Sequence, residues 1–300
     1  MNKISIRKWF EGLQDQICAG LEALDGKATF QEDLWERAGG GGGRTRVIRE
    51  GNLIEKGGVN FSAVEGELSA NMLKSLEIEE GKNFFATGVS IVLHPRSPMM
   101  PIIHMNVRYF ELDSGIYWFG GGIDVTPHYI TPKDAQFFHQ YIKNVCDESD
   151  PAYYPHFKKW ADDYFFTPHR NETRGIGGIF FDRLSADETH SKEQRFEFVK
   201  GVGESFVPIY TYFADQHRDT PYGEAEKEWQ LLRRSRYVEF NLVYDRGTKF
   251  GLYTNGRTES ILMSLPPLAK WVYDYQAIEG SREAETLSLL KKEIDWVSNE

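Results

Sequence analysis

Residues 84–127 decide the fold and read FFATGVSIVLHPRSPMMPIIHMNVRYFELDSGIYWFGGGIDVTP. Two runs rich in apolar and β-branched residues, 86–94 and 102–112, flank a loop of proline and methionine. A third run at 116–119 leads into three glycines at 120–122. Apolar runs of this length, bounded by turn residues, predict strands. The stretch therefore predicts three consecutive strands of a sheet, followed by a glycine turn.

The polar face of these strands carries an unusual set of side chains. Because side chains alternate between the two faces of a strand, Ser90 shares a face with His94, and His104 shares one with Asn106 and Arg108. A strand that faces water would carry threonine, lysine and glutamate there. The side chains found instead can coordinate metals, donate hydrogen bonds or transfer protons. Alternation alone is compatible with both a solvated face and a functional site.

Asp124 follows the three glycines closely. Successive glycines let a backbone approach a ligand or bend away from a strand. A carboxylate just beyond such a turn can be partly desolvated, which would raise its pKa into the range of a general base. The alternative is a turn aspartate that caps its own backbone. Arg108 and Arg257 are natural partners for carboxylates, or else members of surface ion pairs.

Composition excludes several classes of protein. The 300 residues are 40% hydrophobic and 14% aromatic, which predicts a sizeable core rather than a disordered chain. A net charge of −10 argues against binding to nucleic acid or to anionic membranes. The two cysteines lack metal-ligand spacing and suggest a reducing compartment. With no secretory signal and no apolar run near the roughly 20 residues of a membrane span, we expect a cytoplasmic protein.

The rest of the chain predicts further helices and strands. Helices are expected at 4–24, 132–146, 150–166, 191–218 with a kink at Pro208, 225–235 and 282–297. Strands are expected within 29–66, at 175–184 and at 261–265, and a hairpin is expected of 237–245 with 248–254. Residues 39–43 are expected to form a glycine loop. This order favours an α+β fold with a large, mainly antiparallel sheet over an alternating strand–helix fold. No repeat or linker divides the chain, so residues 1–300 are predicted to form a single domain.

Four histidines are candidate metal ligands: His94, His104, His139 and His169. The chain has no HExxH or other close-spaced ligand motif, so a metal would need ligands from distant segments. A hydrogen-bonded structural role is the alternative for each of them. The absence of a GxSxG motif argues against a serine hydrolase.

The chain resembles the oxygen-dependent coproporphyrinogen-III oxidases of haem biosynthesis. The resemblance lies in GVSIVLHPRSP (88–98), HMNVRYF (104–110), YWFGGGIDVTP (117–127), KKWADDYFFTPHRNETRGIGGIFFD (158–182), RRSRYVEFNLVYDRGTKFGLYTNGRTESILMSLPP (233–267) and WVYDY (271–275). These blocks span about residues 45–275 and keep the order and spacing of the family, which makes a chance match untenable.

The resemblance implies a reaction, a fold and an assembly. The expected reaction is oxidative decarboxylation of two propionates of coproporphyrinogen III to vinyl groups, giving protoporphyrinogen IX. Molecular oxygen is the expected co-substrate, without an organic cofactor, and carbon dioxide and hydrogen peroxide leave. The implied fold has about seven strands in one antiparallel sheet, with helices on both faces. A homodimer is expected, with its interface within residues 237–272.

The resemblance also implies residue roles. The implied catalytic residues are His104, Asp124 and Arg108. The implied substrate-binding residues are Ser90, Asn106, Val107, Arg108, Asn255, Gly256 and Arg257. A divalent metal is implied at His94, His104, His139 and His169. Two alternatives are a metal-dependent oxygenase or hydrolase built on these histidines, and a non-catalytic tetrapyrrole-binding protein.

Overall fold

A seven-stranded antiparallel sheet organises the structure, a computed structural model that describes residues 1–68, 73, 81–253 and 256–298. The strands are β1 (Gln31–Glu36), β2 (Gly41–Arg49), β3 (Ile54–Glu67), β4 (Asn83–Pro95), β5 (Ile102–Leu112), β6 (Tyr117–Thr126) and β9 (Gly178–Leu184), in that order across the sheet. A separate pair is formed by β7 (Phe166–Thr167) and β8 (Glu172–Thr173). The structure thus confirms the predicted α+β fold, the mainly antiparallel sheet and its seven strands.

Helices pack around the sheet. They are α1 (Lys3–Asp25), α2 (Pro132–Asp147), α3 (Tyr153–Tyr164), α4 (Lys192–Glu204), α5 (Phe206–His217), α6 (Glu224–Val243), α7 (Arg246–Tyr253), α8 (Thr258–Leu262) and α9 (Arg282–Ser288). Among the described residues, no helix combines the length and apolarity that crossing a bilayer requires.

One face of the sheet forms the main hydrophobic core. Helix α1 begins at a capping box between Asn2 and Ser5, and its buried apolar residues recur at helical spacing. Among these, Phe10 and Leu13 join the same core as Val59 and Ile91 of β3 and β4. Helices α2, α4 and α5 contribute further apolar side chains to this core. We call this the core face.

The opposite face of the sheet is covered only in part. At one end of that face Tyr237 of α6 packs against Val92 and Ile102. Met263, directly after α8, covers Gly58 on this face. A Cβ on Gly58 would lie only 2.5 Å from the Met263 sulfur. Helices therefore lie on both sides of the sheet, but the middle of this second face stays open. We call it the site face.

The predicted hairpin at 237–254 is wrong. Residues up to Val243 continue α6, and Arg246–Tyr253 form α7, while residue 254 lies outside the described residues. The segment is rich in β-favouring residues, yet Tyr237 and Phe240 also recur at helical spacing and are both buried. Burial against the site face overrides the local preference for strand. The strand expected at 261–265 is wrong too, because helix α8 extends to Leu262.

Several other boundaries differ from prediction. The long helix expected at 191–218 is two helices that meet at Ser205, and Pro208 lies in the first turn of α5, where its missing N–H costs no hydrogen bond. The last helix ends at Ser288 rather than near 297. Part of the glycine loop at 39–43 belongs to β2, which begins at Gly41. The helices predicted at 4–24, 132–146 and 150–166 are confirmed within a few residues.

Candidate active site

The glycines at 120–122 continue strand β6 instead of forming a turn. All three pair with β5 on one side, and Gly121 and Gly122 also pair with β9 on the other. A Cβ on Gly122 would lie 2.5 Å from the carbonyl oxygen of Ile179, so only glycine allows this close approach. Gly120 and Gly122 lie on the site face beside Arg108 and Asn106. The glycines therefore let β5, β6 and β9 approach one another closely beside the two polar side chains of β5.

A pocket of about 230 Å³ lies on the site face over β3, β4 and β5. Its lining comprises Asn60, Ser62, Ala86, Thr87, Gly88, Val89, Ser90, Asn106, Val107 and Arg108. The four predicted substrate-binding residues of β4 and β5 are thus brought together. Val107 takes part from its strand backbone, since its side chain is fully buried in the core. Arg108 is exposed although it lies on a central strand.

A chain of hydrogen bonds runs along β5 from the pocket into the interior. Arg108 donates to Asn106 Oδ1 from Nε at 3.0 Å and from Nη2 at 2.8 Å. Asn106 Nδ2 lies 3.2 Å from His104 Nε2, and His104 Nδ1 lies 2.6 Å from Asp124 Oδ1. Because an amide nitrogen only donates, His104 Nε2 accepts, and the ring proton is assigned to Nδ1, which donates to the carboxylate. The chain therefore fixes one tautomer of His104, with its basic nitrogen on the pocket side.

The inner end of this chain is a buried ion pair between Asp124 and Arg174. Arg174 Nη2 lies 2.6 and 2.7 Å from the two carboxylate oxygens, and both side chains are 2% exposed. Arg174 Nη1 also donates to Asn241 Oδ1 at 3.1 Å. The guanidinium carbon lies 4.3 to 4.8 Å from the ring centres of Phe165, Tyr237 and Phe240. Hydrogen bonds and aromatic rings together hold the cation in a dry environment.

Sequence reasoning missed Arg174. It lies inside the block 158–182 that carries the family resemblance, but so do Arg170 and several lysines. Arg170 pairs with Glu239 in a part-exposed position, whereas Arg174 is buried beside Asp124. The burial, the carboxylate partner and the aromatic packing that distinguish Arg174 all depend largely on residues distant in sequence. The sequence contains no local signal that could have identified Arg174.

Asp124 does not have the raised pKa that the sequence predicts. Burial pushes the pKa of this carboxyl upward, but the charge of Arg174 and the hydrogen bond from His104 outweigh burial and lower it below its usual value. Asp124 is therefore a carboxylate at neutral pH, with both oxygens hydrogen-bonded and almost no exposed surface. Such a group is suited to orienting His104, not to removing a proton from a ligand directly.

Arg257, predicted from a distant segment, approaches the same face. Its Nη1 donates to Ser260 Oγ at 3.1 Å, and it forms an ion pair with Asp33. The Ser260 hydroxyl lies 3.0 Å from that of Thr45, which donates to Asn60 Oδ1 at 2.7 Å. Because Asn60 lines the pocket, these contacts connect Arg257 to its far edge.

Comparison with known proteins gives the family. A family model described as coproporphyrinogen III oxidase matches residues 5–296. A protein from Synechococcus sp. (strain CC9902), named oxygen-dependent coproporphyrinogen-III oxidase, is 49% identical over 98% of this chain and 87% of its own length. A protein of the same name from Prochlorococcus marinus is 46% identical over 100% of this chain and 94% of its own. The chain belongs to the coproporphyrinogen III oxidase family.

Asn255 and Gly256 precede Arg257 in the predicted substrate-binding segment, and the structure shows less about their contacts. Asn255 lies outside the described residues. The Gly256 amide donates to the Gly251 carbonyl of α7 at 2.7 Å. Gly256 and Arg257 are not part of the described pocket lining, so the structure brings this segment to the edge of the pocket only through Ser260.

The four candidate metal ligands of the oxidase lie on different elements, and each has protein partners. His94 Nε2 bonds the Ser264 carbonyl; His139 bonds Tyr154 Oη and the Ile176 carbonyl; His169 bonds Glu239 and Tyr244 Oη; His104 bonds Asp124 and Asn106. Burial lowers the pKa of His139 to about 3 and that of His94 well below its usual value. Over the described ranges, no group of three or more His, Cys, Asp or Glu side chains could hold a metal ion. The structure does not bring the four histidines together as a ligand set.

Proposed function

We propose that the protein is an oxygen-dependent coproporphyrinogen-III oxidase that converts two propionates of coproporphyrinogen III to vinyl groups, giving protoporphyrinogen IX. Each of the two propionates loses its carboxyl group as carbon dioxide. The two electrons and two protons released at the same time reduce one oxygen molecule to hydrogen peroxide. Beyond family membership, one observation carries the proposal. An exposed arginine in the middle of the site face is connected, through Asn106 and His104, to a buried ionised carboxylate.

Arg108 is the proposed anchor for a substrate carboxylate. Two of its nitrogens donate to Asn106, and it forms no ion pair with a carboxylate of the described residues, although the chain is acidic overall. Its guanidinium is thus available to bind a propionate, a geometry that arginine satisfies with two parallel hydrogen bonds. Ser90 lies beside it in the pocket lining. Arg257, with the backbone of Asn255 and Gly256, is the proposed contact for another propionate at the pocket edge.

His104 is the proposed proton-transfer group. Its side chain is 16% exposed, and its Nε2 accepts from Asn106, which lines the pocket, while Nδ1–H donates to Asp124. Asn106 must release Nε2 when a substrate proton is taken up. A carboxylate in that position holds the tautomer and stabilises the imidazolium that forms after proton uptake, as in hydrolase triads. Asp124 acts through His104, and Arg174 is a positioning residue that keeps Asp124 ionised. The electron-rich porphyrinogen itself reacts with oxygen, so the proposal includes no organic cofactor.

The metal implied by the family resemblance does not fit the described side chains. His139 uses both ring nitrogens within the protein, and His94 is fully buried beneath Tyr237. Moving either histidine to a shared ion would break hydrogen bonds in dry surroundings. No step of the proposed reaction therefore depends on a metal held by these histidines.

An oxygen-admission assay tests the proposed function. The protein is incubated with coproporphyrinogen III without oxygen, oxygen is admitted, and carbon dioxide, hydrogen peroxide and protoporphyrinogen IX are measured. We expect two molecules of carbon dioxide and two of peroxide for each substrate converted. Tight binding without carbon dioxide release would instead support a non-catalytic tetrapyrrole-binding protein. Loss of activity after exhaustive chelation, restored by one divalent metal, would support a metal-dependent oxygenase.

The proposal includes a homodimer. Large apolar side chains are exposed within or next to residues 237–272: Leu242, Val243, Leu252, Tyr253, Leu268, Trp271, Val272 and Tyr273. A second copy of the chain that covered them would remove a costly contact with water. Sedimentation velocity should give the mass of two chains, and a charged substitution such as Leu252→Glu should shift it toward one chain. A single-chain mass at micromolar concentration would contradict the dimer.

A cytoplasmic location is also part of the proposal. Cys18 and Cys146 are free and buried, which suits a reducing compartment. Cell fractionation that recovered the protein outside the cytoplasm would contradict it.

A further inference from the structure

A row of polar side chains crosses the site face from β2 to β5. It consists of Thr45, Asn60, Ser90 and Asn106, each paired directly with the next across neighbouring strands. Directly paired residues of an antiparallel sheet point to the same face, so all four side chains lie on the site face. Asn60, Ser90 and Asn106 line the pocket of about 230 Å³. The row thus brings Asn60 into the pocket, a residue that neither the strand pattern nor the family resemblance indicates.

A series of hydrogen bonds holds the amide of Asn60. Trp35 Nε1 donates to Thr45 Oγ1 at 3.1 Å, and Thr45 Oγ1 donates to Asn60 Oδ1 at 2.7 Å. The Ser260 hydroxyl, which accepts from Arg257 Nη1, lies 3.0 Å from the same oxygen of Thr45. Because Thr45 gives its one hydroxyl hydrogen to Asn60, Ser260 is assigned as a donor to Thr45, and each hydroxyl hydrogen then has an acceptor. Asn60 Oδ1 is thus occupied, which leaves Nδ2 as the group of Asn60 that can contact a ligand.

Asn60 Nδ2 is an available donor in the pocket. Asn60 is half-buried, and none of the described residues accepts a hydrogen bond from this nitrogen. An amide nitrogen only donates, so on a ligand it can bind only a hydrogen-bond acceptor. The pyrrole nitrogens of a porphyrinogen carry hydrogens and donate too, so the only acceptors of this substrate are the oxygens of its propionates. Asn60 is therefore suited to bind a propionate and no other part of the substrate.

Asn60 and Arg108 lie on opposite sides of this pocket. Arg108 pairs with Gly88 of β4, and Gly88 pairs with Ser62, two residues along β3 from Asn60. Gly88 places no side chain between the two strands, and a Cβ there would lie only 2.9 Å from the Cβ of Arg108. Adjacent strands are about 4.7–4.9 Å apart, so β3 and β5 are separated by roughly 9–10 Å. A carboxylate with a hydrogen bond of about 2.9 Å at each oxygen fits between donors on these two strands.

The size of the pocket agrees with one propionate arm. Its volume of about 230 Å³ is below the roughly 300–1,000 Å³ typical of sites for drug-sized ligands. It can therefore admit a side arm of a tetrapyrrole but not the whole macrocycle. A single arm in this space would present one carboxylate to both sides of the pocket.

We propose that Asn60 is a substrate-binding residue, whose Nδ2 donates a hydrogen bond to the propionate that Arg108 holds. This inference rests on the proposed function. Arg108 supplies the positive charge, and Asn60 adds a neutral donor for the second oxygen. A methyl or vinyl group in the same place offers no acceptor and would leave Nδ2 unpaired, so the pocket distinguishes a propionate from both. Thr45 is a positioning residue, because it acts through Asn60.

The test measures binding of coproporphyrinogen III by calorimetry without oxygen. Asn60→Ala should raise the Kd about 10- to 100-fold, the range for a hydrogen bond to a charged group. Asn60→Asp keeps the acceptor for Thr45 but replaces the donor with an anion, so it should weaken binding more than Asn60→Ala does. Asn144→Ala and Asn144→Asp, at an exposed asparagine of α2, are the matched controls and should change the Kd less than about threefold.

A double variant tests whether Asn60 and Arg108 share one carboxylate. Residues that contact the same group have coupled effects, whereas independent sites are additive. With a shared propionate, Asn60→Ala combined with Arg108→Ala should raise the Kd by a factor at least about threefold smaller than the product of the two single factors.

Three results would overturn the assignment. The first is an unchanged Kd in Asn60→Ala, even if Asn60→Asp binds weakly, because that pattern indicates charge repulsion alone. The second is an equal loss of binding in the Asn144 controls, and the third is full additivity with Arg108→Ala. Failure of the unsubstituted protein to bind coproporphyrinogen III would overturn the proposed function as well. Normal binding and turnover by Asn60→Ala would overturn only the role of Asn60.

Discussion

The two faces of strand β5 differ completely in what they contribute. Ile103, Met105 and Val107 are fully buried in the core face. His104 and Arg108, one residue along in each case, lie on the site face and form side-chain hydrogen bonds there. The same backbone hydrogen bonds to β4 and β6 hold both sets. A rigid apolar face behind the strand thus positions the proposed catalytic side chains in front of it, so we expect that stability and activity can be changed separately.

The largest expected effect on activity comes from substitution of Asp124, at the buried end of the hydrogen-bond chain on the site face. Asp124→Asn should lower kcat by about 10²- to 10⁴-fold, because His104 loses the anion that supports its protonated form. It should also lower the free energy of unfolding by about 3–5 kcal/mol, since it leaves the charge of Arg174 buried without a partner. Steady-state kinetics and urea denaturation measure the two effects.

A double variant separates these two effects of Asp124→Asn. Adding Arg174→Met removes the unpaired charge and should restore part of the stability without restoring kcat. Near-normal turnover by Asp124→Asn would falsify the orienting role of Asp124. Recovery of rate in the double variant would assign the loss to misfolding instead.

A substitution on the core face should lower stability while leaving activity nearly unchanged. Met105→Ala removes a fully buried side chain and should lower the free energy of unfolding by about 2–5 kcal/mol. We expect kcat and KM at a permissive temperature to stay within about threefold of normal, because the strand pairing is kept. A large fall in kcat with little change in stability would show that the two faces are not separable.

Arg108 on the open part of the site face should affect binding more than stability. Arg108→Ala should raise the KM for coproporphyrinogen III by about 10- to 100-fold, with the loss of a charge-assisted contact. The free energy of unfolding should change by less than about 0.5 kcal/mol, as for other exposed positions. Arg7→Ala, at an exposed arginine of α1, is the control and should change neither quantity. A change confined to stability would instead indicate a structural ion pair.

The smallest expected effect of a single residue is the pH dependence of stability that each buried histidine causes. Burial lowers the pKa of His128 and His139 to about 3, against a usual value of 6.5. The unfolded chain therefore binds more protons below pH 6.5, so stability is complete above that pH and declines as the pH falls. One pH unit below 6.5, each histidine should cost about 1.4 kcal/mol.

Denaturation midpoints between pH 7.5 and 5.5 measure this decline. His139→Gln keeps a side chain that can donate and accept hydrogen bonds but does not titrate, so it should reduce the slope with pH. A slope equal to that of the unsubstituted protein would mean that His139 is not held neutral in the folded state.

Much of the site could be predicted from the sequence, because side chains alternate between the two faces of a strand. Alternation places Ser90 on the polar face of one strand and Asn106 and Arg108 on that of the next, and all three line one pocket. Arg257 is a candidate carboxylate partner from the sequence, and the family resemblance implies its substrate-binding role; its contacts reach that pocket only through Ser260. The homodimer, the residue roles and the location stay predictions.

The failures of prediction share a cause in long-range packing. Residues 237–243 have strand-like composition but form a helix, since the site face buries one side of that helix. The glycines at 120–122 suggest a turn, yet β5 and β9 pair with them on both sides. Neither partner is visible within a short window of sequence.

The sequence by itself determined the sheet-forming strands, the polar face of β4 and β5 and the family, because a period of two and long matching blocks are local properties of a chain. Tertiary structure alone decided that Asp124 is ionised and that Arg174 is its partner. The physical reason is that the charge state of a buried group depends on the sum of its surroundings. Those surroundings come from β5, β6, α6 and the segment before β9, which only the folded chain brings together.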